Sequence, residues 1–346
     1  MPAMRQLLWV PGFLLVLAVL VDLMVTCIQA GEGRLNRAVH RALYAALHLV
    51  ARRSGRRAAL AWSTPVLISG SLVMWTALMW LGWTLIFWSQ PGALVGADSG
   101  QPATFLATFY FVGYTLSTLG LGEIIAPRPL WRILTDIAAI SGFFLLTFAI
   151  TFIVPVAQAR ADRRELALAL HRAGPGAQAL IVNAYTDHDR GLHSLTVDLH
   201  TVLNRVDAAH LNTPYLHRLR DHQAQDALDL HLPALGEALL ILLGALKGEC
   251  PHGLRRALAS VESLSCTFHE TQGGRLPPPP PWPDLEPLRK AGLPLRSDAE
   301  LHAFLREHED LRRRLRAMSA AGLWTWAEVA RPAPGQGGAG NSKSGD

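Results

Sequence analysis

Three long apolar runs in the first 160 residues constrain this chain more than any other feature. Leu7 to Ile28 is about 22 residues, and at a rise of about 1.5 Å per residue it reaches about 33 Å, enough to cross the hydrocarbon core of a bilayer. Thr64 to Trp88 and Ile133 to Val156 are also long enough. We therefore predict three transmembrane helices. For the first run the alternative is a cleaved signal peptide, but the run is long for one and no clear small-residue cleavage site follows it.

A fourth apolar run, Thr104 to Leu116, is too short to cross a bilayer. It carries an aromatic series of helical character, formed by Phe109, Tyr110, Phe111 and Tyr114. Because it lies between two full spans, we predict a re-entrant helix that enters and leaves on the same side. Irregular backbone next to such a helix is tolerated at membrane depth only where it lines a cavity.

Arginine distribution predicts the orientation. Residues 31–62 form a basic amphipathic segment that we expect to lie on an anionic membrane surface, and a second cluster follows Val156 at Arg160, Arg163 and Arg164. Cytoplasmic loops are rich in arginine, so we predict a multi-pass protein of the inner membrane with its N-terminus outside and its C-terminal half in the cytoplasm. Arg128 and Arg132 are exceptions on the outer side.

Beyond residue 160 the chain reads as short amphipathic helices, so residues 161–275 are predicted to be a helical cytoplasmic domain. The predicted helices are Asp162 to Arg172, Pro175 to Tyr185, Gly191 to Val206, Leu235 to Leu246 and Leu254 to His269. Leu235 to Leu246 is strongly apolar but short, which favours a buried core helix over a fourth span. Residues 276–331 hold a stiff proline run and a last helix over Asp298 to Met318, and residues 332–346 are predicted to be a disordered tail.

The motif that carries chemistry is Thr118-Leu119-Gly120-Leu121-Gly122, preceded by Thr115 and Ser117 and followed by Glu123. A cation that crosses a membrane needs a substitute for its hydration shell, and rings of backbone carbonyls supply one. Successive carbonyls point at one axis only if alternate residues take conformations that ordinary side chains resist, and glycine reaches positive φ without steric cost. The spacing therefore predicts an ion-coordinating loop at the end of the re-entrant helix.

From Thr64 to Ala159 these residues resemble the two-transmembrane potassium channel family of bacteria and archaea. The resemblance implies a homotetramer in the lipid bilayer, with potassium bound only at the filter carbonyls, no other metal and no cofactor. It also implies a pore module within residues 63–160. Its parts are an outer helix at 64–88, a pore helix at 104–116, a filter at 117–123 and an inner helix at 131–157, preceded by an extra transmembrane helix in residues 1–30.

The sequence departs from the family at two filter positions. Leu121 stands where Tyr is usual and Glu123 where Asp is usual. Leu121 has no hydroxyl with which to buttress the filter, and we hypothesise a softer loop that inactivates more readily. In the inner helix, Gly142 is a hinge candidate, with close helix packing as the alternative. Pro155 either kinks the helix at a gate or simply ends it.

Two acidic residues near the membrane and the histidines of the C-terminal half are further candidates for function. Asp22 and Asp136 are costly near hydrocarbon, although solvation or an arginine partner at a helix end also explains them. Twelve of the 14 histidines follow residue 170. They suggest proton sensing, or metal binding at the pairs Asp189/His193, His217/Asp221 and His222/Asp226, although solvated surface histidines are the simpler interpretation.

The fold class predicted is therefore an all-α membrane protein with a pore-loop module and a helical C-terminal domain. No nucleotide-binding glycine motif, catalytic triad or P-loop is present in the sequence, so neither a nucleotide-sensing domain nor an enzyme is expected, and catalytic residues are predicted to be absent. The arginines flank apolar runs, which argues against nucleic acid as a partner. Two alternatives to a potassium channel stay open. One is a non-selective cation channel, and the other is a non-conducting membrane anchor or sensor whose helical domain binds a partner.

Overall fold

The structure, a computed structural model, describes most of the chain. The described residues are 5–28, 31–54, 60, 62–186, 199–221, 223–248 and 252–332. The predicted disordered tail lies almost entirely outside them, as do the first half of the helix predicted from Gly191, the Asp189/His193 pair and His222. The fold is all-α, as predicted, and among the described residues one small sheet pairs two strands of two residues each.

The described part of the N-terminal half contains five α-helices and the two short strands, which lie on either side of one of these helices in the sequence. These are α1 (Trp9–Cys27), α2 (Arg34–Ser54), α3 (Ser63–Trp88), β1 (Val95–Gly96), α4 (Phe105–Leu116), β2 (Ile124–Ile125) and α5 (Pro129–Ala173). The strands β1 and β2 are antiparallel, with Val95 opposite Ile125. Contacts divide the chain into two units, one with residues up to 46 and 65–156, and one with residues 47–64 and from 157 onward.

Helices α1, α3 and α5 are long and apolar enough to cross a membrane, and only 28–33% of their most apolar windows is buried within the protein. Gly12 of α1 crosses Gly82 of α3 so closely that a Cβ on either would overlap the other's carbonyl oxygen. Small residues allow this kind of backbone approach between membrane helices. The three helices therefore pack on one another while their apolar outer faces remain available to lipid.

The inner helix does not end near Pro155. Helix α5 is 45 residues long and continues through Pro155 to Ala173, so the separate helix predicted from Asp162 to Arg172 is its last part. Termination at Pro155 was therefore wrong. A proline removes one hydrogen-bond donor, and its ring crowds the carbonyl four residues earlier. Membrane helices tolerate such a residue because neighbouring groups satisfy the freed backbone.

Asp22 explains where α2 begins. This carboxylate is buried near the end of α1, and its oxygens accept hydrogen bonds from the backbone N–H groups of Leu35 (2.8 Å) and Asn36 (3.2 Å) and from Trp75 Nε1 (2.9 Å). The first N–H groups of a helix have no partner within it, so Asp22 acts as a cap from another helix. Neither solvation nor an arginine partner, the two explanations weighed from sequence, accounts for it.

A second polar network joins α2 to α3. His40 lies fully buried, with Nδ1 2.6 Å from Glu32 and Nε2 2.8 Å from the Ser71 hydroxyl. Ser71 in turn donates to the side-chain carbonyl of Asn36. Buried polar groups are stable when they satisfy one another, so this network holds the start of α2 against α3.

The second unit is a helical domain around one buried helix. Its described helices are α6 (Ala177–Thr186), α7 (Leu199–Asn212), α8 (Leu228–Ala245), α9 (His252–Gln272), α10 (Glu286–Lys290), α11 (Asp298–Glu307), α12 (Glu309–Ala321) and α13 (Trp326–Val329). Helix α8 is also long and apolar enough to cross a membrane, but 94% of its apolar window is buried by neighbouring helices. It is the core helix that the sequence indicated over Leu235 to Leu246.

Two features of the C-terminal region differ from expectation. The helix predicted over Asp298 to Met318 is broken at His308 into α11 and α12. The proline run is not a free spacer, because arginines of α12 donate to its carbonyls, including Arg312 to Pro281 at 2.8 Å and Arg313 to Pro277 at 2.9 Å. Proline carbonyls have no intrasegment donors in an extended conformation, which leaves them available to these guanidinium groups.

Candidate functional site

Helix α4 is held in place by aromatic contacts with α3. Trp80 stacks on Phe109 with ring centroids 4.5 Å apart, and its Nε1 donates to the Phe109 carbonyl at 2.7 Å. Gly113 leaves room for the same indole, since a Cβ there would overlap the ring. The Thr104 hydroxyl caps the helix by accepting from the N–H of Ala107. The re-entrant helix thus begins and is oriented by specific contacts within one chain.

Backbone conformation alternates in the loop after α4. Thr118, Gly120 and Gly122 have φ values of 61°, 57° and 80°, whereas the residues between them do not have positive φ. Alternation of this kind turns successive carbonyls toward one side, which is the geometry that a ring of carbonyl ligands requires. The conformation is the one the glycine spacing predicted, and it extends one position further, to Thr118.

Thr118 is strained. It is one of two non-glycine residues with positive φ in the part of the chain that the structure describes, the other being Leu323. The left-handed conformation costs an L-residue about 1–2 kcal/mol. Strain of this size persists where the surroundings impose it, and it is concentrated at functional sites.

Hydrogen bonds brace both ends of the loop. At its start, the N–H groups of Thr118 and Leu119 donate to the carbonyls of Thr115 (3.0 Å) and Tyr114 (2.8 Å), at the end of α4. At its end, the Glu123 carbonyl accepts from the N–H of Ala97, and the Tyr114 hydroxyl donates to the Ile124 carbonyl at 3.0 Å. The middle of the loop is therefore held between two fixed points.

The loop faces outward in a single chain. The side chains of Leu119 and Leu121 are 64% and 45% exposed. Behind the loop lies an open cavity of about 580 Å³, lined in part by Gly120, Gly122 and Asp136. Leu119, Leu121 and the glycine backbone between them thus form an exposed surface beside this cavity.

The remaining predicted site residues have clear positions. Thr115 is buried in α4, and the Ser117 hydroxyl donates to the Tyr114 carbonyl. Gly142 lies inside α5 against the last residue of α4, where a Cβ would overlap the Leu116 carbonyl. Close packing thus occurs at Gly142, while its role as a hinge stays a prediction. Pro155 lies within α5, 13 positions further along the chain.

Sequence reasoning missed Tyr114 as part of the site. It was noted only as one of several aromatic residues, yet its hydroxyl spans from the pore-loop helix to the far end of the loop. The signal in the sequence was a tyrosine within one helical turn of the glycine motif, since a buried tyrosine hydroxyl usually finds a hydrogen-bond partner.

The histidines do not form the predicted surface pairs where the structure describes them. His210 and His217 are fully buried, with ring centroids 4.3 Å apart, so the interpretation as solvated histidines was wrong for both. Arg163 donates to His210 Nε2 at 3.0 Å and to the Leu219 carbonyl. No group of three or more potential metal ligands occurs among the described residues.

Comparison with known proteins supports a channel architecture. Residues 72–159 match the model of a family described as Ion channel (Ion_trans_2). The matched segment is similar to two-transmembrane pore-loop ion channels. It covers α4, the 117–123 loop and most of α3, and it confirms the resemblance seen in the sequence. The match also suggests a protein that is not an enzyme.

A relative extends the comparison beyond the ion-channel domain. The chain is 28% identical over 324 residues to "Uncharacterized membrane protein YdjJ" of Bacillus subtilis (strain 168). The alignment covers 92% of this chain and 94% of that protein, so it includes the C-terminal helices. No solved structure matches significantly. The chain is therefore a membrane protein with several apolar helices, in which residues 72–159 match an ion-channel family.

Proposed function

We propose that this chain is one subunit of a homotetramer that conducts potassium passively across the inner membrane. The observation that carries the proposal is the alternation of positive φ at Thr118, Gly120 and Gly122. Such a backbone supplies carbonyl oxygens in series, and four copies around an axis replace the water around a dehydrated cation. The backbone carbonyls of Thr118 to Gly122, together with the Thr118 hydroxyl, would then be the ligands, and the cation would be the cargo.

The open side of the site supports the assembly of several copies. Leu119 and Leu121 are exposed, and a cavity of about 580 Å³ lies behind the loop. Neighbouring subunits would cover both. In this arrangement α5 lines the pore, the N-terminus and the filter lie outside, and the C-terminal helical domain lies in the cytoplasm, in agreement with the arginine clusters.

Bi-ionic reversal potentials test the proposal. Purified protein is placed in a planar bilayer with potassium on one side and sodium on the other. A tenfold higher permeability to potassium than to sodium gives a reversal potential of roughly 60 mV. A shift of that size or more in favour of potassium is expected. A reversal potential near zero with open channels would indicate a non-selective cation channel. Absence of current from verified tetramers would favour a non-conducting anchor.

A further inference from the structure

A groove in the N-terminal unit lies apart from the filter. It has a volume of about 660 Å³ and runs between α1, α3 and α5. We call it the side groove. Its apolar wall is formed by Phe13, Val16, Leu20, Ile86, Leu134 and Ile137. Because α1 is the helix that precedes the ion-channel domain, the groove exists only through the addition of this helix.

The side groove is amphipathic along its length. Gln6, Ser89 and Gln90 line one end, at the start of α1 and the end of α3. Leu20 lines the other end, and the 11 positions from Trp9, the first apolar lining residue of this helix, to Leu20 correspond to about 16 Å of helix. One leaflet of a bilayer contributes about 15 Å of hydrocarbon. The apolar part of the groove therefore matches the depth of the leaflet on the filter side.

Two arginines stand at the polar end. The Arg5 guanidinium lies 3.6 Å above the centre of the Trp88 ring, and its Nε donates to the Trp88 carbonyl at 2.7 Å. Arg128 donates to the carbonyl of Pro91, the residue after Gln90. Each guanidinium carries five N–H donors. Neither arginine is among the described residues that line the groove, but Arg5 is hydrogen-bonded to the residue before Ser89 and Arg128 to the residue after Gln90, and no acidic residue is in that lining. The two guanidinium groups therefore place positive charge beside this end of the groove.

We propose that the side groove binds one anionic phospholipid of the filter-side leaflet. An acyl chain lies along Phe13, Leu20 and Ile137, and the phosphate is held by Arg5 and Arg128. Arg–phosphate hydrogen bonds are strong because both groups are charged and their geometries match. The apolar wall packs against the acyl chain of the bound lipid. The occupant would also contact α5 at Ser141, next to Gly142. This site does not depend on whether the channel conducts.

Native mass spectrometry of the full-length protein, released from nanodiscs, tests the proposal. In nanodiscs of phosphatidylglycerol, one tightly retained lipid per subunit is expected, and in phosphatidylcholine retention should be roughly tenfold weaker. Arg5→Gln should weaken phosphatidylglycerol retention by a similar factor, whereas Arg34→Gln, an exposed arginine at the start of α2, should not. Leu20→Trp fills the groove and should displace the lipid, whereas Leu17→Trp, an exposed position on the same helix outside the groove, should not.

If the unaltered protein retains phosphatidylglycerol and phosphatidylcholine equally, the proposal is overturned, and this result needs no variant. Equal phosphatidylglycerol retention in Leu20→Trp and Leu17→Trp would also overturn it. A photoreactive amino acid at position 20 distinguishes a bound phospholipid from a second copy of the chain in the groove. Cross-linking to a phospholipid supports the site, and cross-linking to a second copy of the chain would show that a neighbouring helix fills the groove instead.

Discussion

The hydroxyl of Tyr114 donates a 3.0 Å hydrogen bond to the backbone carbonyl of Ile124, ten residues further along the chain. This bond connects the last turn of α4 to the residue that follows the alternating loop. The sequence led us to hypothesise a softer filter, because Leu121 has no hydroxyl. Tyr114 supplies a hydroxyl from another position, and it braces the exit of the loop rather than its middle.

Tyr114→Phe removes this bond and keeps the ring. Loss of a buried hydrogen bond costs about 1 kcal/mol, so the loop should hold its conducting conformation less well. We expect a potassium current that declines faster under sustained flux. The control is Tyr110→Phe, an exposed ring one turn earlier on the same helix, which should behave like the unaltered protein. Equal decay in both variants would show that the bond does not stabilise the filter.

Gly120→Ala tests the backbone conformation directly. Nothing lies within 4 Å of a Cβ added at this position, so the variant introduces backbone strain of about 1–2 kcal/mol rather than a clash. Conduction should be lost while the assembly stays intact by size-exclusion chromatography. Gly100→Ala is a matched control, since its φ is 62° and its Cβ would also meet open space. If both variants conduct normally, the loop is not the conducting element.

Gly142→Ala distinguishes packing from hinge motion. An added Cβ would overlap the Leu116 carbonyl, which belongs to the backbone and cannot turn aside. Overpacking of this kind costs about 1–3 kcal/mol, so we expect a lower thermal unfolding temperature of the assembled protein. Gly70→Ala meets only the end of the Leu43 side chain, and it should be tolerated. A variant of unchanged stability with altered open times would support the hinge instead.

The buried pair of Arg312 and Glu237 stabilises the core helix α8. Arg312 donates to both Glu237 oxygens, at 2.7 and 3.1 Å. Glu237→Gln leaves a buried charge without its partner, which costs about 3–5 kcal/mol. Amide hydrogen exchange in α8 should accelerate accordingly. Glu286→Gln disrupts the exposed pair with Lys290 and should change exchange little. Unchanged protection of α8 in Glu237→Gln would contradict this account.

Acid should destabilise the C-terminal unit. Burial, with the nearby Arg163 charge, lowers the pKa of His210 to about 3 from an ordinary value of 6.5, and burial beside His210 lowers the pKa of His217 well below that value. The unfolded chain therefore binds protons that the folded chain excludes. The stability these histidines contribute is complete above about pH 6.5 and is lost as pH falls toward their folded pKa values, at up to about 1.4 kcal/mol per pH unit for each.

Thermal unfolding of the full chain between pH 7.5 and 5 measures this effect. His217→Phe keeps a ring next to Phe268 and removes one contributing group. Because burial also lowers the pKa of His231 to about 4, His217 is one of three such histidines, and the slope of stability against pH should fall by about a third. His269→Gln, outside this cluster, serves as the control. An equal slope in His217→Phe and the unaltered protein would assign the pH dependence to other groups.

Local patterns predicted the membrane helices well. The pore-loop helix was expected over 104–116, and it runs from Phe105 to Leu116 with Thr104 as its cap. Span length, aromatic spacing and glycine spacing depend on short stretches of sequence, so they can be seen in one chain. The positive φ of Gly120 and Gly122 follows from the same local rule, whereas that of Thr118 does not.

Features that depend on distant contacts could not be predicted. Helix α5 continues past Pro155 although the residue is a helix breaker, and His210 and His217 are buried although they lie in a polar segment. The proline run is bound by α12 arginines more than 30 positions away. In each case the outcome depends on which surface another helix covers. The spacing of residues within one segment does not show which of its surfaces a distant helix covers.

An electron microscopy structure of the purified, reconstituted assembly tests the central claim most directly. The account predicts four copies around one axis, with the carbonyls of Thr118 to Gly122 facing that axis and α5 lining the path below them. A monomer, or an assembly in which Gly120 and Gly122 lie far from any symmetry axis, would contradict it.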